Sequence, residues 1–189
     1  MATTVVNKKV NGVEVDKLFE SIEAMKNLPE LADFRFRLKN RWINCGHNRS
    51  EIKNFYGVCQ EDSSRRQPFV LDADEPPVLL GADQGPNPVE YLLHALAACV
   101  TTSIVYHAAA KGVQLQQVES RVEGDIDLRG FLGIDDSVPR GYKSIRMKFK
   151  IQADVPDQQL EEIVQLGPTY SPVFNTLTRG VKVDVSLDR

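Results

Sequence analysis

The sequence feature that most constrains the fold is a run of twenty mainly apolar residues, YLLHALAACVTTSIVYHAAA, at positions 91–110. A run of this length is sufficient to cross a bilayer as a helix. Its two histidines, three hydroxyl residues and many alanines lower its tendency to insert into a membrane. We therefore predict a buried helix at the centre of a water-soluble fold.

Capping residues mark both ends of this central helix. Asn87 is expected to be the N-cap, with Pro88 at the first helical position and Glu90 at the third, as in a capping box. Lys111 and Gly112 supply a basic last turn and a glycine beyond the C-terminal end. The sequence thus predicts a helix over 88–110.

Before the central helix, the pattern predicts a short amphipathic helix and an antiparallel meander. The helix begins at Asp16 and closes near Pro29. Strand candidates follow at 34–45, 50–60 and 68–74, the last continued by PPVLLGA at 76–82, with a turn at 45–48.

After the central helix, two long strands at 113–128 and 142–153 are predicted to pair as a hairpin. A helix capped by Asp157 is expected to break at Gly167, and a second short helix is expected to start at Ser171. The alternation of VKVDVSLD at 181–188 predicts a closing strand. This order of elements indicates an α+β fold.

Composition excludes several classes of protein. With 189 residues, of which 42% are hydrophobic, the chain can bury a substantial core. Its 23 basic and 26 acidic residues leave a net charge of -3, so a nucleic-acid partner is not expected. The amino end lacks an apolar stretch of the length found in secretory signals, and we expect a cytoplasmic protein with reduced thiols.

Cys99 is the residue of the central helix that is best suited to act as a nucleophile. An unpaired cysteine in an apolar helix is often a small hydrophobic core residue. If it is reactive, a cation must lower the pKa of its thiol, because it lies about 16 Å from the helix start. Candidate arginines precede the helix at Arg35, Arg37, Arg41, Arg49, Arg65 and Arg66.

The histidines do not form a convincing site with this cysteine. His94 and His107 share its helix, but at about 100° per residue neither projects beside Cys99. His47 lies in a separate predicted turn. We expect neither a Cys-His nucleophilic pair nor a metal site, and the three cysteines show no metal-like spacing.

Two segments together resemble the OsmC/Ohr family (osmotically inducible protein C and organic hydroperoxide resistance protein). They are GPNPVEYLLHALAACVTTSIVYHAAAKG at 85–112 and SPVFNTL at 171–177, the latter followed by the predicted closing strand. The resemblance implies antiparallel sheets packed on a long buried central helix, in a dimer of two intertwined chains. It implies an OsmC-like domain at 34–189, preceded by an extension at 1–33 that carries the amphipathic helix.

The resemblance also implies an activity. Family members reduce organic hydroperoxides and hydrogen peroxide at the dimer interface. For this chain we expect no cofactor and no metal, and we expect a hydroperoxide and a thiol reductant as its small-molecule partners. The first family cysteine matches Cys99, which makes this residue the candidate peroxidatic thiol. The family arginine is best matched by Arg49, with Arg41 as an alternative, and the family glutamate by Glu90.

The chain departs from the family pattern at two places. The second family cysteine, which precedes a proline, is replaced by Ser171, and a hydroxyl cannot form a disulfide. In the family pattern a glutamate directly follows Asn-Pro, whereas here Val89 lies between Asn-Pro and Glu90. This shift of one residue rotates the carboxylate by about 100° around the helix relative to the family pattern. Ser171 is interpreted mainly as a helix cap, with contact to substrate as the alternative.

Three functions are consistent with these residues. A one-cysteine peroxidase would use Cys99 and an external thiol. A non-catalytic relative would bind a hydrophobic small molecule at the dimer interface, and its Cys99 would be inert. A purely structural dimer would have no ligand-sized cavity beside Cys99.

Overall fold

The structure, a computed structural model, describes residues 9–188. One compact unit contains Glu14–Leu92, and a second contains Lys9–Val13 together with the chain from Leu93 onward. We call these the first unit and the second unit. Antiparallel sheets and a long helix are present, so the predicted α+β class is confirmed.

The elements follow one another in an order close to the predicted one. They are β1 (Lys9–Val10), β2 (Val13–Glu14), α1 (Val15–Asn27), β3 (Lys39–Asn44), β4 (His47–Ile52), β5 (Phe55–Gly57), β6 (Gln60–Asp62), β7 (Phe69–Ala73), α2 (Pro88–Ala110), β8 (Leu115–Ile126), α3 (Leu128–Phe131), β9 (Tyr142–Ala153), α4 (Asp157–Tyr170) and α5 (Pro172–Arg179). Short 3-10 turns lie at Pro29–Ala32 and Pro77–Leu79. The second of these turns replaces the strand continuation predicted at 76–82, so that part of the prediction was wrong.

The first unit contains a three-stranded antiparallel sheet in the order β3-β4-β7. The predicted strand at 34–45 is shortened to β3, and before it Arg35 forms an isolated bridge with Tyr56. The predicted turn at 45–48 consists of Cys45 and Gly46 alone, because the next residue already begins β4.

The prediction of one continuous strand at 50–60 was wrong. The chain leaves the sheet after β4 and forms a separate hairpin of β5 and β6. Val58 and Cys59, between these strands, have φ angles of 51° and 59°. Two successive residues with positive φ form a tight reversal, so Cys59 lies in a turn.

The central helix α2 begins and ends as its capping residues predict. The Asn87 side chain accepts a hydrogen bond from the backbone N–H of Val89 at 2.9 Å, and the Asn87 N–H donates to Glu90 Oε2 at 2.9 Å. Gly112 follows the helix with a φ of 73°. The capping box and the glycine that ends the helix are thus confirmed.

The second unit has its core between α2 and the β8–β9 hairpin. Every fourth residue of α2 from Leu96 to Ala108 is buried, which forms one ridge along the helix. The hairpin alternates along each strand, and its apolar face packs against this ridge. The buried core residues are Leu96, Val100, Ile104, Ala108, Val113 and Ile163.

Helix α4 runs through the predicted break at Gly167. A side chain at this glycine would place its Cβ 2.7 Å from Val100 Cγ1 and 2.8 Å from Ile104 Cγ1. The glycine therefore permits close packing of α4 on α2, and it does not end the helix. Asp157 also differs from the prediction, because Pro156 occupies the N-cap and Asp157 lies in the first turn.

The prediction of a closing strand at 181–188 was wrong for this structure. These residues have no regular secondary structure, and Val181, Val183, Val185 and Leu187 are all exposed. An alternating apolar pattern forms a strand only where a neighbouring strand pairs with it.

Candidate functional site

Cys99 lies in the second unit, on the border between the covered and the uncovered sides of α2. Its side chain is partly exposed, whereas Val100 beside it is buried. The Cys99 backbone carbonyl accepts a hydrogen bond from Ser103 Oγ at 3.0 Å. The thiol is thus accessible to a small molecule while it is held on a rigid helix.

The uncovered side of α2 carries both apolar and polar residues. By length and composition alone, α2 could cross a membrane. In the structure the hairpin covers only its buried ridge. The exposed residues recur every four positions at His94, Ala98, Thr102 and Tyr106. Cys99 follows the exposed Ala98, so it lies next to a helix face that no other described segment buries.

Arg49 lies in the first unit, where it is held by a carboxylate that sequence reasoning missed. Its Nε and Nη2 atoms donate to Asp72 Oδ1 and Oδ2 at 2.9 and 3.1 Å. The hydrogen bond from Arg49 is the main cause of the lowered pKa of Asp72, and the same bond raises the pKa of Arg49. Both groups therefore stay charged in their pair.

His47 shares this carboxylate. Its Nε2 lies 2.7 Å from Asp72 Oδ1, and the hydrogen bond contributes after that of Arg49 to the lowered pKa of Asp72. His47 and Arg49 are two positions apart on β4, so their side chains project from one face. The sequence-based prediction placed His47 in a turn, and the strand assignment brings it beside Arg49.

Glu90 and the alternative arginine have other surroundings in the first unit. Glu90 uses its carboxylate in the capping box. Arg41 lies directly opposite Arg49 in the β3–β4 register, and its side chain is exposed. Arg49 is thus bound by the carboxylate of Asp72 and not by that of Glu90.

Ser171 is fully buried in the second unit. Its Oγ accepts a hydrogen bond from the backbone N–H of Phe174 at 3.1 Å. This contact caps α5, as the sequence predicted, and it uses the hydroxyl in the manner of an N-cap.

The other two cysteines are exposed and lie in the first unit. Cys45 has a φ of 48° in the β3–β4 turn, and its thiol donates to the Leu80 carbonyl at 3.1 Å. Cys59 lies in the β5–β6 turn. The structure thus gathers Arg49, His47 and Asp72 in the first unit, whereas Cys99 and Ser171 are on separate elements of the second.

Comparison with known proteins identifies the family. The family model described as OsmC-like protein matches residues 81–186, more than half of the chain. This segment contains α2 with Cys99, the β8–β9 hairpin and both later helices. No curated protein matches the sequence significantly.

Solved structures with similar folds have low sequence identity. An OsmC-like protein from Mycoplasma pneumoniae is 19% identical with a TM-score of 0.59, and the match covers 78% of this chain and 89% of that chain. An OsmC-like protein of unknown function from Vibrio cholerae is 13% identical with a TM-score of 0.54, covering 75% and 92%. The organic hydroperoxide resistance protein OsmC from Legionella pneumophila is 18% identical with a TM-score of 0.51, covering 77% and 89%.

These structures share the fold, and the family match supplies the relationship that the sequence resemblance predicted. The two segments that carried the resemblance, at 85–112 and 171–177, both lie inside the matched region. The chain belongs to the OsmC-like protein family.

Proposed function

We propose that this protein is a one-cysteine peroxidase that reduces organic hydroperoxides at Cys99. The observation that carries the proposal is the partly exposed thiol of Cys99 at the edge of the uncovered side of α2, inside the family match. Ala95 and Ala98, which neighbour Cys99 on the helix and are at least partly exposed, suit a hydroperoxide with a hydrocarbon group. The Legionella pneumophila neighbour bears the name of an organic hydroperoxide resistance protein, which agrees with this proposal.

The first half of the reaction oxidises the thiol. The Cys99 thiolate attacks the distal oxygen of the hydroperoxide, and the oxygen–oxygen bond breaks. The sulfur becomes a sulfenic acid, while the leaving alkoxide takes up a proton and departs as an alcohol. A cation that stabilises both the thiolate and the alkoxide would accelerate this step, and we assign that role to Arg49.

The second half requires an external thiol. Ser171 stands where the family has its second cysteine, and its buried hydroxyl caps α5. A first external thiol would attack the sulfenic sulfur and release water. A second would then break the mixed disulfide, which restores Cys99 and yields an oxidised external disulfide. A reducing compartment such as the cytoplasm would supply these thiols.

We propose a homodimer as the active assembly. Large apolar side chains are exposed in both units, including Trp42 at 71% and Val185 at 92%. A second copy of the chain could cover such surfaces together with the open side of α2.

The activity is tested by following cumene hydroperoxide consumption with dithiothreitol as the reductant. The variant with Cys45→Ser and Cys59→Ser should retain turnover, because both exposed cysteines are dispensable in the proposal. The Cys99→Ser variant should lose it. Turnover that survives Cys99→Ser would refute the assignment.

A second candidate is a protein that binds a hydrophobic small molecule without turnover. The serine at the place of the second family cysteine favours it, because Ser171 is committed to a helix cap. In that case cumene hydroperoxide would not be consumed. Apolar compounds would instead raise the melting temperature of the wild type and of Cys99→Ser equally.

A further inference from the structure

We propose that a row of aromatic rings and one arginine in the first unit binds single-stranded nucleic acid. The row consists of Phe36, Phe55, Arg65 and Phe69, and we call it the stacking row. All four residues precede residue 81, where the family match begins, so the family relationship gives them no role. The inference describes a binding activity separate from the proposed peroxidase reaction, and neither depends on the other.

Four flat groups follow one another along the stacking row. The ring centroids of Phe36 and Phe55 are 5.6 Å apart. The Arg65 guanidinium carbon lies 5.2 Å from the centroid of the Phe55 ring and 5.2 Å from that of the Phe69 ring. Both distances are within the range of a cation–π interaction. The guanidinium therefore connects the rings of two separate strands into one row.

Hydrogen bonds hold two parts of the stacking row in place. The backbones of Arg35 and Tyr56 exchange hydrogen bonds of 2.9 and 3.0 Å, which fixes the chain next to Phe36 beside β5. Arg65 Nη1 donates to the Lys53 backbone carbonyl at 2.9 Å. Groups that are already held in position lose little conformational entropy when a ligand stacks on them.

The two ends of the stacking row are open to solvent. Phe36 is 71% exposed and Phe69 is 60% exposed. A purely structural ring cluster would bury these rings, because removal from water is the main source of its stability. Bases of a single strand stack on exposed aromatic rings and on guanidinium planes. The row therefore leaves ring surface available to the planar bases of a nucleic acid.

The charge of this part of the chain is complementary to a phosphate backbone. Residues 34–66 contain eight basic and three acidic side chains, although the whole chain has a net charge of -3. The expectation that the chain has no nucleic-acid partner follows from the net charge of the whole chain, which conceals this local excess. A local basic surface is sufficient to attract phosphates.

Two of these cations lie next to the stacking row. Arg65 donates to the carbonyl of Lys53, and Arg66 follows it in the chain. The side chains of Lys53 and Arg66 are exposed, and neither forms an ion pair within residues 9–188. Both are thus available to phosphates of a strand whose bases contact the rings.

The rings and the cations together favour a single strand over a duplex. The bases of a duplex are already stacked on one another, whereas those of a single strand are free to stack on protein rings. Every base has a flat face, so this kind of stacking tolerates many sequences. We therefore expect binding with a strong preference for single strands and a weak preference for sequence.

The experiment measures the fluorescence anisotropy of a labelled deoxythymidine strand of about twelve nucleotides, titrated with the full chain. The parent should bind with a dissociation constant below about 100 µM at about 50 mM salt. Phe36→Leu should raise this constant about tenfold, because leucine stays apolar but has no ring on which a base can stack. Phe36→Trp should bind at least as tightly as the parent. Arg66→Gln should weaken binding and reduce its salt dependence.

Two matched controls lie in the second unit. Phe131 is 70% exposed, almost as much as Phe36, so Phe131→Leu removes an equally accessible ring away from the stacking row. Arg121→Gln removes an exposed positive charge from the β8–β9 hairpin. Neither substitution should change the dissociation constant of the strand.

Several results would overturn the inference. One is a parent that binds no strand at about 100 µM protein. Others are equal affinity for the same strand paired with its complement, or equal effects of Phe36→Leu and Phe131→Leu. Phosphatidylserine vesicles that bind the parent and Phe36→Leu alike, in place of the strand, would identify a lipid surface as the partner instead. If Phe36→Leu fails to fold, Phe69→Leu replaces it, with the same expected loss.

Discussion

The β8–β9 hairpin and the β3–β4–β7 sheet are both antiparallel, but their apolar side chains have different surroundings. The hairpin places its apolar face on α2, where Ile104 is fully buried. The β3–β4–β7 sheet leaves Trp42 and Phe69 exposed at 71% and 60%. The second unit therefore carries its own hydrophobic core, whereas the sheet of the first unit has apolar surface that needs a further layer.

Polar contacts support the first unit where apolar burial is sparse. The Asp74 carboxylate is buried and accepts hydrogen bonds from the backbone N–H groups of Glu75, Ala82 and Gln84 at 2.8, 3.1 and 3.2 Å. Asp72 holds Arg49 on the neighbouring sheet. Such hydrogen bonds order a site well but contribute less to stability than a filled apolar core. A core thus supports Cys99, whereas a polar scaffold supports Arg49.

The largest expected effect comes from removing core volume in the second unit. Ile104→Ala should lower the free energy of unfolding by about 2–5 kcal/mol, because it leaves a cavity between α2 and the hairpin. Thr102→Ala, an exposed change on the same helix, should alter it by less than about 0.5 kcal/mol. Urea denaturation measures both. Equal losses of unfolding free energy would show that the covered and open sides of α2 contribute equally to stability.

A smaller loss is expected from added volume at the contact between α4 and α2. Gly167→Ala would place a methyl group 2.7 Å from Val100 Cγ1, and such overpacking should cost about 1–3 kcal/mol of unfolding free energy. Gly141→Ala is the matched control, since a Cβ there meets no atom within 4 Å. If thermal denaturation finds both variants as stable as the parent, the close packing of these helices is incorrect.

In the first unit, loss of the buried carboxylate should loosen one loop. Asp74→Ala leaves three backbone N–H groups without their acceptor, so amide hydrogen exchange in residues 75–87 should become about tenfold faster. Exchange in the β8–β9 hairpin should not change. A uniform acceleration over both units would contradict the separate stabilisation of the two regions.

The weakest expected effect is the acid sensitivity of the solvent-facing side of the hairpin. Hydrogen bonds from Arg146 and then Ser144 lower the pKa of Asp125 from 3.8 to about 2. A lowered folded-state pKa contributes stability above the ordinary value of 3.8, and that contribution disappears as the pH falls toward about 2. The melting temperature of Arg146→Gln should therefore fall less than that of the parent between pH 5 and 2.

Arg121→Gln is the matched control for this pH series. Arg121 lies opposite Lys148 in the hairpin register. Its removal should leave the acid-induced fall of the melting temperature as steep as in the parent. A fall flattened equally by both substitutions would mean that overall charge, and not the Asp125 pair, sets the acid sensitivity.

Local sequence signals predicted the elements that depend on local contacts. Asn87 and Glu90 marked the start of α2 because a capping box joins residues three positions apart. Ser171 marked the start of α5 for a similar reason. The alternation of β8 and β9 revealed the hairpin, because each strand has one covered face.

The remaining features depend on contacts between distant parts of the chain. Gly167 has the local signature of a helix break, but it lies where α4 packs closely on α2. The pattern at 181–188 is that of a strand, yet strand formation depends on a pairing partner. Asp72 was missed because only the register of β4 and β7 brings it to Arg49, and His47 was missed because the sequence placed it in a turn and not on β4.

The central claim is that Cys99 is a peroxide-reactive thiol. The most direct test treats the chain carrying Cys45→Ser and Cys59→Ser with one equivalent of cumene hydroperoxide in the presence of dimedone. Mass spectrometry then locates the adduct. We predict that Cys99 is converted to the dimedone-trapped sulfenic acid. In a control without cumene hydroperoxide, Cys99 should remain unmodified. A Cys99 that remains a free thiol after the peroxide is supplied would contradict the account.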